Sequence, residues 1–426
     1  MNIAMVTNTY LPHVGGVANS VHTFAEAYRA KGHTVTVIAP EFEDAPEQEA
    51  DVIRVPALQH FNGSDFSVSL PLVPPLTRKM KARKPDLFHS HHPFLLGDTA
   101  LRMAATLGKP LIFTYHTMYE HYTHYVPADS PVIRRFAKKL AVEYCNLCDH
   151  VIAPSDSVRE IIQGRGVTAP ISVIPTGIDP NRFADGDGDA FRAAWGLPAE
   201  AVVVGHVGRL AREKNGVFLA SALAAFIREQ PEQRRALIVG AGPADKEMRE
   251  VFEKAGIADR AIFPGKLTGR ALADAYRAMD LFAFSSKTET QGMVLAEAMA
   301  AEKPVVALDA PGARDIVRDR ANGRLVMEER VDAFADAVRW MAQRSEQERA
   351  AFRAEARRTA EAVSVDVCTD AALKVYEEVL ATWRVPDATE FGPWNSIRLR
   401  LQQEWEIWNE RINALESALS DEEDRA

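Results

Sequence analysis

The chain has 426 residues, more than one ordinary hydrophobic core accommodates, so two domains are expected. Its 47% hydrophobic and 26% charged residues are typical of a globular protein, and no apolar run of about eighteen residues predicts a transmembrane helix. Three cysteines favour a reducing cytoplasm over a disulfide framework. The first residues lack a basic region followed by an apolar core, so no signal peptide is expected.

Charge is distributed unevenly along a chain whose net charge is −9. Residues 71–145 contain eleven Lys/Arg against five Asp/Glu, whereas residues 384–426 contain five Arg against ten Asp/Glu. The basic segment suggests an anionic partner such as lipid headgroups. Solvated helix faces produce the same pattern, so charge alone leaves both interpretations open.

The first part of the chain alternates between strands and helices. A strand, the glycine turn HVGGV and a helix ending at Gly32 open it. The predicted strands are NIAMVTNTY, HTVTVIAP, DLFHSHHP, PLIFTYHT, HVIAPS and ISVIPTGID. This alternation predicts a parallel sheet with helices on both faces.

The alternation restarts after a looser segment, residues 178–198, which we interpret as a hinge with a short helix. The predicted strands are VVVGHVGRL, RALIVGAGP, AIFPGKL, LFAFSS and PVVALDAPG. We therefore expect two doubly wound, Rossmann-like domains, 1–177 and 178–365, facing a cleft. Ligands of such sheets bind beyond the carboxyl ends of the strands, which places the expected site in that cleft.

The segment 384–426 is predicted to be a linker followed by an amphipathic helical tail. One face of that helix is apolar, because its large residues are spaced by three or four. These residues are Leu401, Trp405, Trp408, Ile412, Leu415 and Leu419. Docking on its own domain, pairing in a homodimer and lying on a membrane all remain open, although the acidic polar face disfavours anionic lipid.

Two loops combine glycines or cations with the end of a strand. Gly15 and Gly16 join the first strand to the first helix, where bare backbone can approach a phosphate, although a tight turn looks the same. The loop is not GxGxxG, so the dinucleotide fingerprint is absent. Arg209 and Lys214, in GRLAREKN, follow the first strand of the second domain. Two cations there suit a diphosphate, although an exposed basic loop is also common.

The stretch SSKTETQGMVLAEAMA, residues 285–300, combines two carboxylates with a helix start. Backbone N–H groups at that start are predicted to cradle a phosphate; the residues concerned are Thr290, Gln291, Gly292, Met293 and Val294. Glu289 precedes the cradle, and Glu297 lies about two turns into the helix. The two carboxylates can therefore accept hydrogen bonds from hydroxyls on either side of a phosphate, as in a sugar and a ribose.

The same stretch, with the PVVA that follows, resembles the retaining GT-B glycosyltransferases of family four (group 1). Supporting motifs occur in the family's order along residues 1–383: GGV (15–17), TYHT with His116, PTGID (175–179), GRLAREKN (208–215), GAGP (240–243) and FPGKL (263–267). In that family the last helix returns to the N-terminal domain, which 366–383 suits. The tail beyond about residue 384 has no counterpart in the family pattern.

Within the family, segments such as HSHHPFLLG and FTYHTMYEHYTHYVP look most like the bacterial diacylglycerol glucosyltransferases. That resemblance implies transfer of a hexose, glucose from UDP-glucose, to a lipid such as diacylglycerol. It also implies a cytoplasmic enzyme associated peripherally with the anionic inner face of the cell membrane. A GDP-mannose donor, a soluble acceptor, a sugar-nucleotide epimerase and a silent sugar-nucleotide binder are the alternatives.

The resemblance assigns roles to individual residues. Gly16 corresponds to a glycine whose amide approaches the diphosphate, and His116 to a histidine beside the transferred sugar. Arg209 and Lys214 correspond to the pair that binds the leaving diphosphate. Glu289 corresponds to the carboxylate on the sugar hydroxyls, and Glu297 to the one on the ribose. No cofactor or metal is implied, and front-side attack and a covalent intermediate both remain open.

Three other motifs contain possible metal ligands but are not expected to bind a metal. CNLC (Cys145, Cys148) has a zinc-like spacing without a second pair and is expected to be one helix turn. HSHH (89–92) is expected to contact the acceptor. DGDGD (185–189) lacks the later residues of a calcium loop and is expected to be a solvated turn.

Overall fold

The computed structural model describes residues 1–13, 15–46, 49–58, 68–69, 73–121 and 130–384, which divide into two units. The first unit comprises Met1–Gly177 and resumes at Cys368, and the second comprises Ile178–Val367. The predicted tail helix, and any pairing through it, lies outside the described residues.

The first unit is built on a seven-stranded parallel sheet. In chain order its strands are β1 (Asn2–Val6), β2 (Thr34–Pro40), β3 (Val52–Val55), β6 (Leu87–Ser90), β7 (Leu111–Thr114), β8 (His150–Ala153) and β9 (Ile171–Val173). A two-stranded antiparallel pair, β4 (Ala57–Leu58) and β5 (Val68–Ser69), is separate from it. Across the sheet the order is β3-β2-β1-β6-β7-β8-β9, so the first strand is internal.

The helices of the first unit follow its strands, as the sequence predicts. They are α1 (Gly16–Ala30), α2 (Val73–Arg83), α3 (Leu96–Leu107), α4 (Pro131–Asn146) and α5 (Asp156–Gly164), with most of α14 (Val365–Thr382). The hydroxyl of Tyr376 on α14 lies 3.0 Å from the hydroxyl of Tyr28 on α1. Lys31 and Asp370 form an ion pair of 2.8 Å at the end of α1.

The second unit contains a six-stranded parallel sheet in the order β12-β11-β10-β13-β14-β15. Its strands are β10 (Val202–Val207), β11 (Arg234–Val239), β12 (Ala261–Gly265), β13 (Leu281–Phe284), β14 (Val305–Leu308) and β15 (Gly323–Val326). Its helices are α6 (Pro180–Ala184), α7 (Gly188–Ala194), α8 (Gly216–Arg228), α9 (Asp245–Lys254), α10 (Gly269–Ala278), α11 (Met293–Ala300), α12 (Val331–Ala342) and α13 (Glu346–Ala362).

The central strands of the second unit are buried on both faces, which explains their continuous apolar sequences. Phe282 and Phe284 of β13 pack into one hydrophobic cluster, whereas Leu281 and Ala283 pack into the cluster on the opposite face. Successive side chains of a strand point to opposite faces, so the run LFAF fills both layers.

The two doubly wound sheets predicted from the sequence are confirmed, and all eleven predicted strands are present. The additional edge strands β3 and β15 are only four residues long and contain Arg54 and Arg324, so their apolar signal is weak. In both sheets the strand order reverses beside the first strand, between β1 and β6 and between β10 and β13. Ligands of such sheets bind at that reversal, beyond the carboxyl ends of the strands.

The segment DGDGD is a turn that leads into α7, and its three aspartates are exposed to solvent, as the sequence predicts. The Asp187 carboxylate accepts a 2.9 Å hydrogen bond from the Ala190 amide and caps α7. A Cβ at Gly186 would lie 2.4 Å from the Ala273 carbonyl oxygen, so glycine is required for α10 to approach. The glycines therefore serve the packing of α10, whereas the acidic residues remain exposed.

Candidate functional site

In the second unit, the loops after β10 and β11 stack on each other. The Leu210 amide donates to the Ala241 carbonyl at 3.0 Å, and the Ala244 amide donates to the Leu210 carbonyl at 2.8 Å. A Cβ at Gly240, whose φ is +143°, would lie 1.9 Å from the Gly208 carbonyl oxygen. Gly240, the first glycine of GAGP, is therefore explained by this close backbone approach.

The loops after β10 and β13, on either side of the strand-order reversal, are also joined. Arg212–Lys214 form a 3₁₀ turn that ends at Asn215, which has a left-handed φ of 57°. The Ser285 hydroxyl oxygen lies 3.2 and 3.0 Å from the carbonyl oxygens of Lys214 and Asn215. The Thr288 hydroxyl donates to the Glu213 carbonyl at 3.3 Å. These bonds fix the position of the Lys214 backbone against the segment that carries Glu289.

The side chains of Lys214 and Glu289 form an ion pair. Lys214 Nζ lies 2.5 Å from Glu289 Oε1, and the two side chains are 19% and 20% exposed. The Arg209 guanidinium pairs with Glu213 and is 45% exposed. The structure thus brings two predicted site residues, Lys214 and Glu289, into direct contact, and Arg209 lies on the same loop as Lys214.

The predicted phosphate cradle is a left-handed turn followed by a helix. Gly292, with φ 69° and ψ 53°, is the N-cap of α11, so Thr290 and Gln291 precede the helix and Met293 and Val294 begin it. The side chains of Glu289, Thr290, Gln291, Met293 and Val294 are partly exposed. The first N–H groups of such a helix lack intrahelical partners and favour an anion.

Gly312 packs closely against this turn, and sequence reasoning missed it. A Cβ at Gly312 would lie 2.9 Å from Glu289 Cβ and 3.0 Å from the Gln291 backbone nitrogen. Its φ of +77° also disfavours any other residue. The turn-like APG in PVVALDAPG is the signal that could have identified it.

Glu297 is held by a tyrosine that sequence reasoning also missed. The Tyr276 hydroxyl on α10 donates to Glu297 Oε2 at 2.8 Å. Burial raises the pKa of Glu297, while the Tyr276 hydrogen bond and the Arg182 charge oppose that rise. Glu297 is partly exposed, so a carboxylate oxygen can accept hydroxyl hydrogen bonds.

A buried histidine, His206, lies on β10, and the charges of Lys214 and Glu289 influence its pKa. His206 Nδ1 lies 3.1 Å from the Ala283 carbonyl, which makes Nδ1 the protonated nitrogen. Burial lowers its pKa to about 4; the positive charge of Lys214 acts in the same direction, and the negative charge of Glu289 acts against it. His206 is therefore neutral near pH 7.

In the first unit, α1 begins at the predicted glycine loop. Gly15, with an extended φ of −158°, is the N-cap, and Gly16 is the first helical residue. Apart from its chain neighbours and the helix backbone, no atom of the described residues lies within 4 Å of a Cβ built on Gly16.

His116 lies beyond β7, beside the histidines that follow β6. His91 Nδ1 is 2.9 Å from His116 Nε2, and the two rings are stacked with centroids 5.2 Å apart. Burial lowers the pKa of His116 to about 3 and that of His91 well below its usual value. Because both rings are neutral, one nitrogen of the pair donates and the other accepts.

The other two histidines of HSHH, His89 and His92, form hydrogen bonds within the protein. His89 Nε2 lies 2.7 Å from the Thr114 hydroxyl, and His89 Nδ1 lies 2.6 Å from the Tyr376 hydroxyl. His92 Nδ1 accepts from the Asn8 amide at 3.1 Å. His89 and His92 are both buried. Of the histidines in HSHH, it is His91 that contacts the predicted site residue His116.

The cysteines and acidic residues form no metal centre among the residues that the structure describes. Cys145 lies in the last turn of α4 and Cys148 just beyond it, and both thiols are buried and unoxidised. No helix within the described ranges is long and apolar enough to cross a membrane.

The basic segment forms an exposed cationic face on α2 and the residue after it. Leu76 and Met80 anchor the helix, being 5% and 0% exposed. The cations on its outer side are all exposed: Arg78, Lys79, Lys81, Arg83 and Lys84. The helix is thus amphipathic, with its charge directed to solvent.

Two family descriptions match successive parts of the chain: "Glycosyltransferase Family 4" over residues 14–182 and "Glycosyl transferases group 1" over residues 187–359. A GDP-mannose-dependent alpha-mannosyltransferase of Corynebacterium glutamicum is 31% identical over 407 residues, 92% of each chain. The chain belongs to the family-four glycosyltransferases. The family predicted from the sequence motifs is therefore confirmed.

Another relative and a solved structure are also similar to this glycosyltransferase. An alpha-monoglucosyldiacylglycerol synthase of Streptococcus pneumoniae is 29% identical over 338 residues, 76% of this chain and 75% of the relative. The crystal structure of Anabaena Alr3699/HepE in complex with UDP matches with a TM-score of 0.71 and 24% identity, covering 89% of this chain and all of that one. The latter likeness identifies the GT-B fold of this glycosyltransferase.

Proposed function

We propose that this glycosyltransferase transfers glucose from UDP-glucose, with retention at the anomeric carbon, to a lipid acceptor such as diacylglycerol. The observation that carries the donor half is the 2.5 Å contact between Lys214 and Glu289. In the proposed roles Lys214 is the cation for the leaving diphosphate and Glu289 the carboxylate for sugar hydroxyls. Both follow strands at the edge of a sheet of the kind that binds such ligands, which supports the proposal.

The donor would be held along the loops of the second unit. Arg209 and Lys214 bind the diphosphate, and the N–H groups from Thr290 to Val294 surround a phosphate at the start of α11. Glu289 accepts hydrogen bonds from the sugar, and Glu297 accepts them from the ribose. Cations fixed in this way stabilise negative charge that develops on the leaving group.

The first unit would supply His116 beside the sugar, while Gly15 and Gly16 offer backbone to the diphosphate. Because burial keeps the pKa of His116 low, His116 acts as a neutral hydrogen-bonding group. The contact with His91 orients the ring.

In the reaction, the bond between the anomeric carbon and the diphosphate oxygen breaks, and the acceptor hydroxyl oxygen bonds to that carbon. The acceptor proton passes to the departing phosphate in front-side attack. A covalent glycosyl intermediate is the competing route to retention. In either route Arg209 and Lys214 neutralise the leaving diphosphate, so no metal or cofactor is needed for the step.

The exposed cations of α2 support a membrane-surface acceptor. A cluster of this kind attracts anionic headgroups with roughly 1 kcal/mol per basic residue near the surface. The enzyme would thus associate peripherally with the cytoplasmic face of the cell membrane and reach a lipid hydroxyl there.

A GDP-mannose-dependent transfer is the second candidate. The mannosyltransferase of Corynebacterium glutamicum aligns with 92% of this chain, compared with 76% for the pneumococcal glucosyldiacylglycerol synthase. The carboxylate contacts proposed for Glu289 and Glu297 suit either donor, since both contain a hexose, a ribose and a diphosphate.

The test is to incubate the full chain with UDP-glucose or GDP-mannose and vesicles that contain diacylglycerol and anionic phospholipid. Glucosylated diacylglycerol with an α-anomeric linkage supports the proposal. Mannosylation of lipid selects the second candidate, and absence of sugar on lipid with both donors refutes a lipid acceptor. Epimerised sugar nucleotide without transfer would indicate an epimerase.

A further inference from the structure

Tyr276 is a rigid, fully buried group beside a proposed ligand-binding carboxylate. Its ring meets Phe183 edge-on at 5.5 Å and Phe282 at 5.8 Å. Its hydroxyl donates to Glu297 Oε2 at 2.8 Å and lies 3.5 Å from the Val294 carbonyl oxygen. The geometry leaves the carboxylate as the principal acceptor, because hydrogen bonds at 3.5 Å are weak.

The bond to Tyr276 restricts the carboxylate it reaches. A glutamate side chain has several rotamers, and binding a ligand restricts it to one of them, which costs conformational entropy. Charged acceptors form the stronger hydrogen bonds, and the Tyr276 ring is fully buried against Phe183 and Phe282. Glu297 Oε2 is therefore fixed, and Glu297 Oε1 is directed by the same bond.

We propose that Tyr276 is a positioning residue that orients Glu297 for the ribose hydroxyls and thereby makes the enzyme selective for ribonucleotides over deoxyribonucleotides. This inference rests on the proposed role of Glu297. A carboxylate oxygen held at one place discriminates a hydroxyl from a hydrogen, whereas a mobile carboxylate retreats to solvent or to another partner. Preorganisation of this kind raises affinity without adding a contact.

The alternative is that the Tyr276 hydroxyl merely satisfies its own buried hydrogen-bonding requirement. Both interpretations predict some loss of stability in Tyr276→Phe, which removes the hydroxyl and keeps the ring. Nucleotide selectivity separates them, because a purely structural bond would leave the ratio of ribonucleotide to deoxyribonucleotide affinity unchanged.

The experiment measures binding of UDP, 2′-deoxy-UDP and 3′-deoxy-UDP by calorimetry, with GDP and its deoxy forms in parallel. For wild type we expect at least one deoxy form to bind on the order of tenfold more weakly than the parent, the effect of one hydrogen bond to a charged group. In Tyr276→Phe that ratio should fall to about threefold or less. Tyr144→Phe is the matched control, because its equally buried hydroxyl bonds to Ser90 and Gly97 in the first unit.

A pH series gives a second readout. Binding needs the Glu297 carboxylate, so affinity falls as pH drops through the Glu297 pKa. The Tyr276 hydrogen bond acts to lower that pKa. Its removal should therefore move the acid loss of nucleotide binding to higher pH, which the Tyr144→Phe control should not do.

The outcomes distinguish this inference from the function on which it rests. If wild type binds the ribo and deoxy forms equally, or Glu297→Gln keeps full selectivity, the ribose role of Glu297 is wrong. If Glu297→Gln loses selectivity while Tyr276→Phe keeps both the selectivity and the wild-type pH profile, Tyr276 has no positioning role.

Discussion

Lys214 and Glu289 follow two neighbouring strands, β10 and β13, and their side chains meet at 2.5 Å. The proposed roles require the cation to face a diphosphate and the carboxylate to face a sugar. Because each charge is already balanced by the other, both side chains are held in place before the donor binds. A site arranged in this way needs little reorganisation during the reaction.

The first prediction concerns this pair. Glu289→Ala should reduce sugar transfer by at least about a hundredfold, because it removes a preorganised contact to the reacting sugar. Circular dichroism and the thermal midpoint should change little, since a partly exposed ion pair contributes roughly 1 kcal/mol or less. Glu250→Ala is the control, because it removes the partner of Lys254 on α9 in the same unit. Wild-type turnover in Glu289→Ala would refute the assigned role.

Local sequence patterns predicted the strands and the loops that carry the candidate site. Apolar runs fixed the strands, and loops that follow parallel strands must meet at one edge of the sheet, so Lys214 could be placed near Glu289. Gly312, Tyr276 and His206 were missed because their roles arise from contacts between distant segments. Tyr276 reaches Glu297 only through the packing of α10, and nothing in the residues around either one encodes that contact.

The second prediction concerns Gly312. In Gly312→Ala the new Cβ would press on the Glu289 segment, so transfer should fall and stability should drop by about 1 kcal/mol or more. Gly256→Ala is the matched control: its φ of +72° imposes similar backbone strain, but a Cβ there meets no described residue within 4 Å. We expect the control to lose stability and to keep its transfer rate. Equal transfer rates in the two variants would show that Gly312 does not support the site.

The third prediction is a pH dependence of stability. Burial lowers the pKa of His89, His92 and His116 to about 3 and that of His206 to about 4. Below about pH 6.5 the unfolded chain binds protons that the folded chain does not, so stability falls as pH drops toward these values. Each group adds up to about 1.4 kcal/mol per pH unit to this loss.

His206→Asn tests one of these contributions by urea unfolding between pH 7 and 5. The asparagine amide can still donate to the Ala283 carbonyl, but it does not titrate. The fall in unfolding free energy with decreasing pH should become shallower by about 1 kcal/mol per pH unit. An unchanged slope would mean that His206 is protonated as readily in the folded chain as in the unfolded one.

The fourth prediction concerns the cationic face of α2. Replacing Arg78, Lys79 and Lys81 with Ala should weaken co-sedimentation with anionic vesicles by roughly 1 kcal/mol per residue, and most strongly at low salt, where screening is weak. The helix should stay folded, because its anchors Leu76 and Met80 are unchanged.

The matched control for α2 replaces Arg349, Arg353 and Arg358 on α13, which removes the same charge from the second unit. Each of these arginines pairs with a glutamate on its own helix, so its charge is already partly compensated. We expect vesicle binding to persist in this control. If the two triple variants bind vesicles equally, the charge of α2 is only a solvated face, and the lipid must be recognised by another part of the protein.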